Sequence, residues 1–174
     1  MSRIYHLRRR LIVPHDRKKV FEFFTDVENL SLLTPRFVQF RILTPLPITL
    51  APGVLLDYRL QIKGVPVHWQ TEIDTFDPPH RFSDVQLKGP YRLWHHRHEF
   101  REVEGGTEIS DEVDYAIPLG LLGTLAHAWM VRRDLAKIFD YREARIREQF
   151  PQSGADPNRL AVSAAASSDR SRGA

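Results

Sequence analysis

The chain of 174 residues has no cysteine. That absence excludes disulfides, a thiolate nucleophile, Cys-ligated zinc and iron–sulfur clusters. It also has no long apolar run. The longest stretch without formal charge, Tyr115 to Val131, is interrupted by Pro118, Gly120, Gly123 and His127. It falls short of the ~20 residues a membrane span needs. The opening MSRIYHLRRRLIV carries charge where a signal peptide would be apolar, so a soluble cytoplasmic protein is expected. Neither sign of charge is in large excess. The 25 Lys+Arg and 22 Asp+Glu give +3, with both signs spread along the chain. No groove-reading motif or aromatic–basic platform stands out, which argues against a nucleic-acid partner.

What is present is enough for one domain with a real core, since 42% of the residues are hydrophobic. The composition changes after Phe150. The segment PQSGADPNRLAVSAAASSDRSRGA is rich in Ala, Ser and Arg and has almost no large apolar residues. It cannot bury enough surface to offset ordering entropy, so residues 1–150 are expected to fold and 151–174 to form a disordered tail.

Periodicity orders the folded part. Ser2 to Val13 reads as a strand with Tyr5, Leu7, Leu11 and Val13 on one face, and Arg8, Arg9 and Arg10 alternating across a solvated edge. Asp16 is placed to cap a helix Arg17–Thr25, on which Val20, Phe21 and Phe24 cluster. Asp26 is placed to cap a second short helix through Leu33, and Pro35 ends it. Phe37 to Leu43 reads as a further strand. From Val54 the alternation is strict, as in a half-buried antiparallel sheet. Lys63-Gly64, Pro78-Pro79, Gly89-Pro90 and Gly105-Gly106 mark its turns. A long helix from Leu119 to Phe150 closes the chain, with Leu121, Leu125, Ala128, Leu135, Phe139, Ile146 and Phe150 on one stripe. The expected fold is α+β: a curved seven-stranded antiparallel sheet around that helix, with two short helices after strand 1. A twisted sheet gripping one helix leaves room for a cavity between them.

The informative residues are the polar ones on inward positions. Centring the turns places Asp84 opposite His96, His98 opposite Asp111, Thr71 beside Gln86, and Trp94 near Gln86 and Tyr115. Cross-strand partners have Cβ atoms ~4.5–5.5 Å apart and can touch. The candidate ligand-binding set is therefore Trp69, Thr71, Asp84, Gln86, Trp94, His96, His98, Phe100, Asp111, Tyr115 and Arg132. Buried unpaired, such polar groups cost on the order of 2–7 kcal/mol each, so they pair with one another, with water or with a ligand. Two readings stay open: a self-satisfied Asp–His network, or a wet pocket that orients a bound molecule. His96, His98 and Asp111 also have the types of a two-histidine, one-carboxylate metal site. The carboxylates are better placed to hold imidazole N–H groups, so no metal or other cofactor is expected. Arg132, in the middle of the apolar stripe, either neutralises Asp84 or Asp111, snorkels, or anchors a ligand carboxylate or enolate. Arg142, after Phe139 and Tyr141, reads as structural.

The phrases FEFFTDVENLSLLTP, FSDVQLKGPYRLWHHRHEF, GGTEISDEVDYAIPLG and IFDYR resemble the START-like helix-grip ligand-binding superfamily. More narrowly they resemble its polyketide cyclase/dehydrase-related bacterial members, the SRPBCC group. The likeness runs from Ser2 to about Phe150 and implies a deep cavity between sheet and C-terminal helix. Members of that superfamily include lipid and quinone carriers, hormone-binding proteins and aromatase/cyclases, and related bacterial domains occur beside short-chain oxidoreductase-like proteins. The resemblance thus makes an oxidoreductase-like partner an expectation. It supplies no invariant catalytic set, although Arg132, Tyr115, His96 and Asp111 are of the types that assist dehydration in cyclases.

Three functions follow, in this order. The first is a binding module holding a hydrophobic or amphipathic small molecule. The second is a cyclase/dehydratase in which His96 or His98 is the base and Tyr115 or Arg132 stabilises an enolate. The third is a lipid or quinone shuttle whose Tyr115–Val131 segment, read as an apolar lip at the cavity mouth, touches a membrane.

Overall fold

A computed structural model describes residues 3–118 and 130–151. Strand β1 (Ile4–Val13) leads to helix α1 (Arg17–Thr25), a 3-10 turn at Val27–Ser31 and another at Arg36–Val38. Strands β2 (Arg41–Ile42), β3 (Leu55–Ile62), β4 (Val65–Asp77), β5 (Arg81–Lys88), β6 (Leu93–Val103) and β7 (Gly106–Ala116) follow, then helix α2 (Arg132–Gln149). The strands form one antiparallel sheet in the order β1-β7-β6-β5-β4-β3-β2. β2 to β7 is thus a meander, and β1 returns to the free edge of β7.

Local chemistry explains the elements. Asp16 caps α1 by accepting from the Lys18 and Lys19 amides, and Asp26 accepts from the Glu28 amide at the next turn. Lys63 and Gly64, both at positive φ, turn β3 into β4. The register pairs Asp84 with His96, His98 with Asp111, Thr71 with Gln86 and Trp94 with Tyr115. Slips between Gln70 and Thr71 and between Ile73 and Thr75 mark bulges in the β4–β5 ladder. Such bulges bend the strand and increase its twist.

Two expectations change. Only Arg41–Ile42 of the expected strand Phe37–Leu43 pairs, because Gln39 is left-handed (φ 47°) and turns the chain out of extended geometry. Phe37 is left 59% exposed. Of the expected helix Leu119–Phe150, Arg132–Gln149 is helical. Residues 119–129, which hold most of the proposed apolar lip Tyr115–Val131 together with Leu121, Leu125 and Ala128, lie outside the described residues, as does the tail beyond Pro151.

Three apolar clusters form the core, two of them built on the helix. Ile146 and Phe150 of α2 meet Phe21 and Phe24 of α1 and Phe82 and Phe100 of the sheet. Leu135 and Phe139 pack on Val113 and Tyr115. Val27, Leu50, Leu56, Tyr58 and Ile73 form the third. The opposite face of the sheet is ionic: Arg97 donates to Asp114 at 2.8 Å, and Arg8 pairs with Glu112 at 3.2 Å. Arg9, from the alternate face of β1, instead reaches Asp140 of α2.

Gly106 locks β1 to β7. It sits at φ 143°, and a Cβ there would lie 2.0 Å from the Val13 carbonyl oxygen. Gly105, at φ 88°, has open space around it. Gly106→Ala is therefore expected to cost about 1–3 kcal/mol for forced backbone alone, and more than Gly105→Ala, as urea unfolding of the two variants will measure. Equal costs would remove the steric contribution.

Candidate functional site

A cavity of about 500 Å³ opens between α2 and the concave face of β3–β6. That volume lies within the ~300–1,000 Å³ range of small-molecule pockets. Its wall is aromatic and aliphatic. Trp69 of β4 and Trp94 of β6 meet edge to face at 5.3 Å, and the Tyr91 ring lies tilted at 4.8 Å from Trp94. The irregular segment after α1 supplies Leu30, Phe37, Val38 and Phe40, and α2 supplies Leu135 and Phe139. At the rim, the exposed Lys63 ammonium in the β3–β4 hairpin pairs with Asp134 of α2 at 2.9 Å.

The polar end is made by Thr71, Asp84, His96 and Arg142. Alternation on three adjacent strands turns the first three inward together, and each makes few bonds. Thr71 donates its hydroxyl to Asp84 Oδ2 at 2.8 Å and to the Val85 carbonyl at 3.0 Å. His96 Nδ1 stands 3.9 Å from Asp84 Oδ1, and its Nε2 3.8 Å from Asp111 Oδ1, both beyond hydrogen-bonding distance. Its Nε2 is buried without a hydrogen-bond partner among the described residues, as is Arg142 Nε. Behind this layer His98 Nδ1 meets Asp111 Oδ1 at 2.6 Å, and the His98 ring stacks on Phe82 at 4.3 Å. A smaller void of about 60 Å³ reaches His98 between the same residues and the α1 core.

Burial dominates the electrostatics. It pushes His96 from 6.5 down to about 3, helped by the neighbouring His98, so the imidazole is neutral. Burial also raises the Asp84 carboxyl, against the pull of His98, the Thr71 hydroxyl and Arg142. Burial would raise Asp111 too, but His98 and His96 outweigh it and hold that carboxyl well below the usual range.

Of the eleven candidates, Trp69, Thr71, Asp84, Trp94 and His96 line the cavity. His98 and Asp111 stand behind it. Phe100 lies in the apolar core at 1% exposure, and Tyr115 packs with Leu135 and Phe139. Gln86 is spent on the β5–β6 turn, where its amide donates to the Tyr91 carbonyl at 2.7 Å and accepts from the Tyr91 amide. Arg132 is corrected: it is exposed in the first turn of α2 and does not line the cavity. A guanidinium at a helix end reaches water at little cost. Arg142 takes the inward place instead. Its spacing of three from Phe139 and four from Ile146 puts it on the buried stripe, a signal that reading it as structural passes over. Sequence reasoning also leaves Tyr58, Tyr91 and the cavity-lining residues of the 30–40 segment out of the site, reading that segment only as a short helix and the strand Phe37–Leu43.

A strongly bent sheet closed over a terminal helix, with a cavity between, defines a helix-grip protein of the ligand-binding kind. The family model described as "Polyketide cyclase / dehydrase and lipid transport" matches residues 13–139, and the chain belongs to that family. Solved structures of similar fold include protein CV1439 from Chromobacterium violaceum, with a TM-score of 0.64, 12% identity and coverage of 83% of this chain and 96% of that one. TTHA0849 from Thermus thermophilus gives 0.62 and 15%, covering 83% and 99%. Major latex-like protein 151 from Panax ginseng gives 0.62 and 11%, covering 85% and 98%. At these identities the likeness is one of fold. No curated protein matches the chain in sequence. Among the described residues, no helix is long and apolar enough to cross a membrane.

Proposed function

We propose that the chain is a binding module for an amphipathic small molecule, with an apolar body against Trp69, Trp94 and Phe139 and a polar head at Arg142, His96 and Asp84. The observation that carries this reading is the pair of unpartnered buried nitrogens, Arg142 Nε and His96 Nε2, at the end of an apolar cavity of about 500 Å³. Arg142 forms no ion pair among the described residues, so an acidic or carbonyl head would supply what the protein leaves out. Ligand affinity then comes from the aromatic wall and orientation from the polar end.

The cyclase/dehydratase reading has weaker support. A general base works best with a pKa near the operating pH, and His96 at about 3 is a poor acceptor there. The shuttle reading needs the segment Tyr115–Val131, most of which lies outside the described residues.

The probe is 1-anilinonaphthalene-8-sulfonate, whose naphthalene and sulfonate match the two ends of the cavity. Wild type is expected to bind one equivalent, read as dye emission excited through Trp69 and Trp94. Ile138→Trp, which projects an indole into the cavity from α2, should weaken binding at least tenfold with an unchanged far-UV spectrum. Equal binding by the two proteins, or none by wild type, would sink the proposal.

A further inference from the structure

The geometry points to a divalent transition-metal site at the polar end of the cavity, ligated by Asp84, His96 and His98. One ligand atom from each lies within 4.8 Å of the others. Three atoms at the corners of such a triangle stand about 2.8 Å from its centre, against bonds of about 2.0–2.2 Å, so each side chain has well under 1 Å to move. The His96 side chain is 93% buried (7% exposed), borders both voids, and makes no hydrogen bond short enough to count with either carboxylate beside it. Its Nε2 has no hydrogen-bond partner among the described residues.

The surroundings orient the ligands as metal sites require. Asp111 accepts from His98 Nδ1, which leaves His98 Nε2 as the ligating nitrogen. The same carboxylate stands beside His96 Nε2, so His96 presents Nδ1 toward Asp84. Thr71 donates to Asp84 Oδ2 and leaves Oδ1 for the cation. Each ligand thus has one atom committed to, or facing, a supporting group and one atom left for a cation. Two imidazoles and one carboxylate suit zinc, iron(II), cobalt(II) or manganese(II), with positions left open for another ligand. Those positions face the large cavity, where Asp84 and His96 are part of the wall.

Charge is the main objection. Arg142 borders the same point, and a divalent cation beside a guanidinium is unfavourable unless anions offset both. Asp84 and Asp111 supply two within the cluster, and an acidic ligand head would supply a third. The site therefore rests on the cavity reading for what completes its coordination, but not for metal binding itself.

The test uses the full chain without an affinity tag, stripped with EDTA and titrated with cobalt(II) chloride. One equivalent is expected to bind with visible d–d bands that zinc abolishes by displacement. Asp84→Asn and His96→Gln should each weaken binding at least 100-fold, and Thr71→Val, which frees the Asp84 carboxylate, about 10–100-fold. His98 is more deeply set and its variants can fail to fold, so the conclusion is drawn from the other three. Cobalt binding that survives both Asp84→Asn and His96→Gln, as it would at exposed His6, His68 or His80, overturns the site; so does saturation only in the millimolar range. Dye uptake by the stripped protein separates the two readings: metal binding can fail while the cavity still fills, and the reverse.

Discussion

Between pH 6.5 and about pH 4.5, wild-type protein in EDTA should lose roughly 2–3 kcal/mol of folding stability that a His96→Phe variant keeps, a slope of about 1.4 kcal/mol per pH unit. The sign follows from where the proton binds. Burial holds His96 at about 3 in the folded protein against 6.5 in the open chain. Below 6.5 the unfolded chain takes up a proton that the native state refuses, so acid favours unfolding, and the loss levels off near 3. Asp84 works in the opposite direction. Its folded carboxyl is raised above 3.8, so once the pH passes below that raised value the native state holds a proton the unfolded chain lacks. The fall therefore reaches its full slope about one pH unit below 6.5, where the unfolded histidine is almost fully protonated, and flattens as Asp84 protonates. Phenylalanine keeps a ring beside Phe139, whose centroid is 5.7 Å from that of His96, and removes the titration. The other carboxylates titrate in both proteins, so urea unfolding across the pH range isolates the histidine as a difference. Parallel curves would mean that His96 is hydrated in the folded state, and the unpartnered nitrogen at the cavity floor would no longer support either proposal.

The facing of Asp84 on His96 and of His98 on Asp111 is legible because strand alternation and four well-marked turns leave one register; a slip of one residue exposes every apolar side chain at once. The Asp16 cap and the α1 cluster are legible for the same kind of reason, a local rule with no competitor. What escapes the sequence is not periodic. The stretch from Pro35 to Gly53 supplies part of the cavity wall through Phe37, Val38 and Phe40, yet it is held by one 3-10 turn, a left-handed Gln39 and the Thr44 hydroxyl on the Asp57 amide. None of these leaves a repeat. Facing alone assigns Gln86 to the site, but the turn at Tyr91 claims its amide first. Arg132 and Arg142 both lie on the helical stripe by spacing. Only their depth along the sheet separates them, one at the solvated start of α2 and the other between Phe139 and Ile146. Periodicity carries direction and not depth, which is why spacing alone gives the inward role to the wrong arginine.

Removing the Asp111 carboxylate should be the most costly single change at the polar end. Its side chain is 7% exposed and that of His98 5%, and their contact is 2.6 Å. Asp111→Ala leaves the His98 N–H buried against Phe82 and Phe24 with no acceptor, and takes away an anion that stands beside both imidazoles. Breaking a buried pair from one side costs about 3–5 kcal/mol, because the surviving partner keeps its desolvation penalty. In a domain of this size that is roughly a 10 °C fall in Tm. Asp111→Asn divides the effect. Its amide oxygen can still accept from His98 Nδ1, so the hydrogen bond survives and only its charge-assisted part is lost, about 1–2 kcal/mol. The two variants therefore distinguish a charge requirement from an acceptor requirement by differential scanning calorimetry. If alanine and asparagine cost the same, the carboxylate charge matters and the acceptor does not. If alanine costs under about 1 kcal/mol, His98 finds water in the 60 Å³ void beside it, and the layer behind the cavity is wet rather than a fixed support for His96.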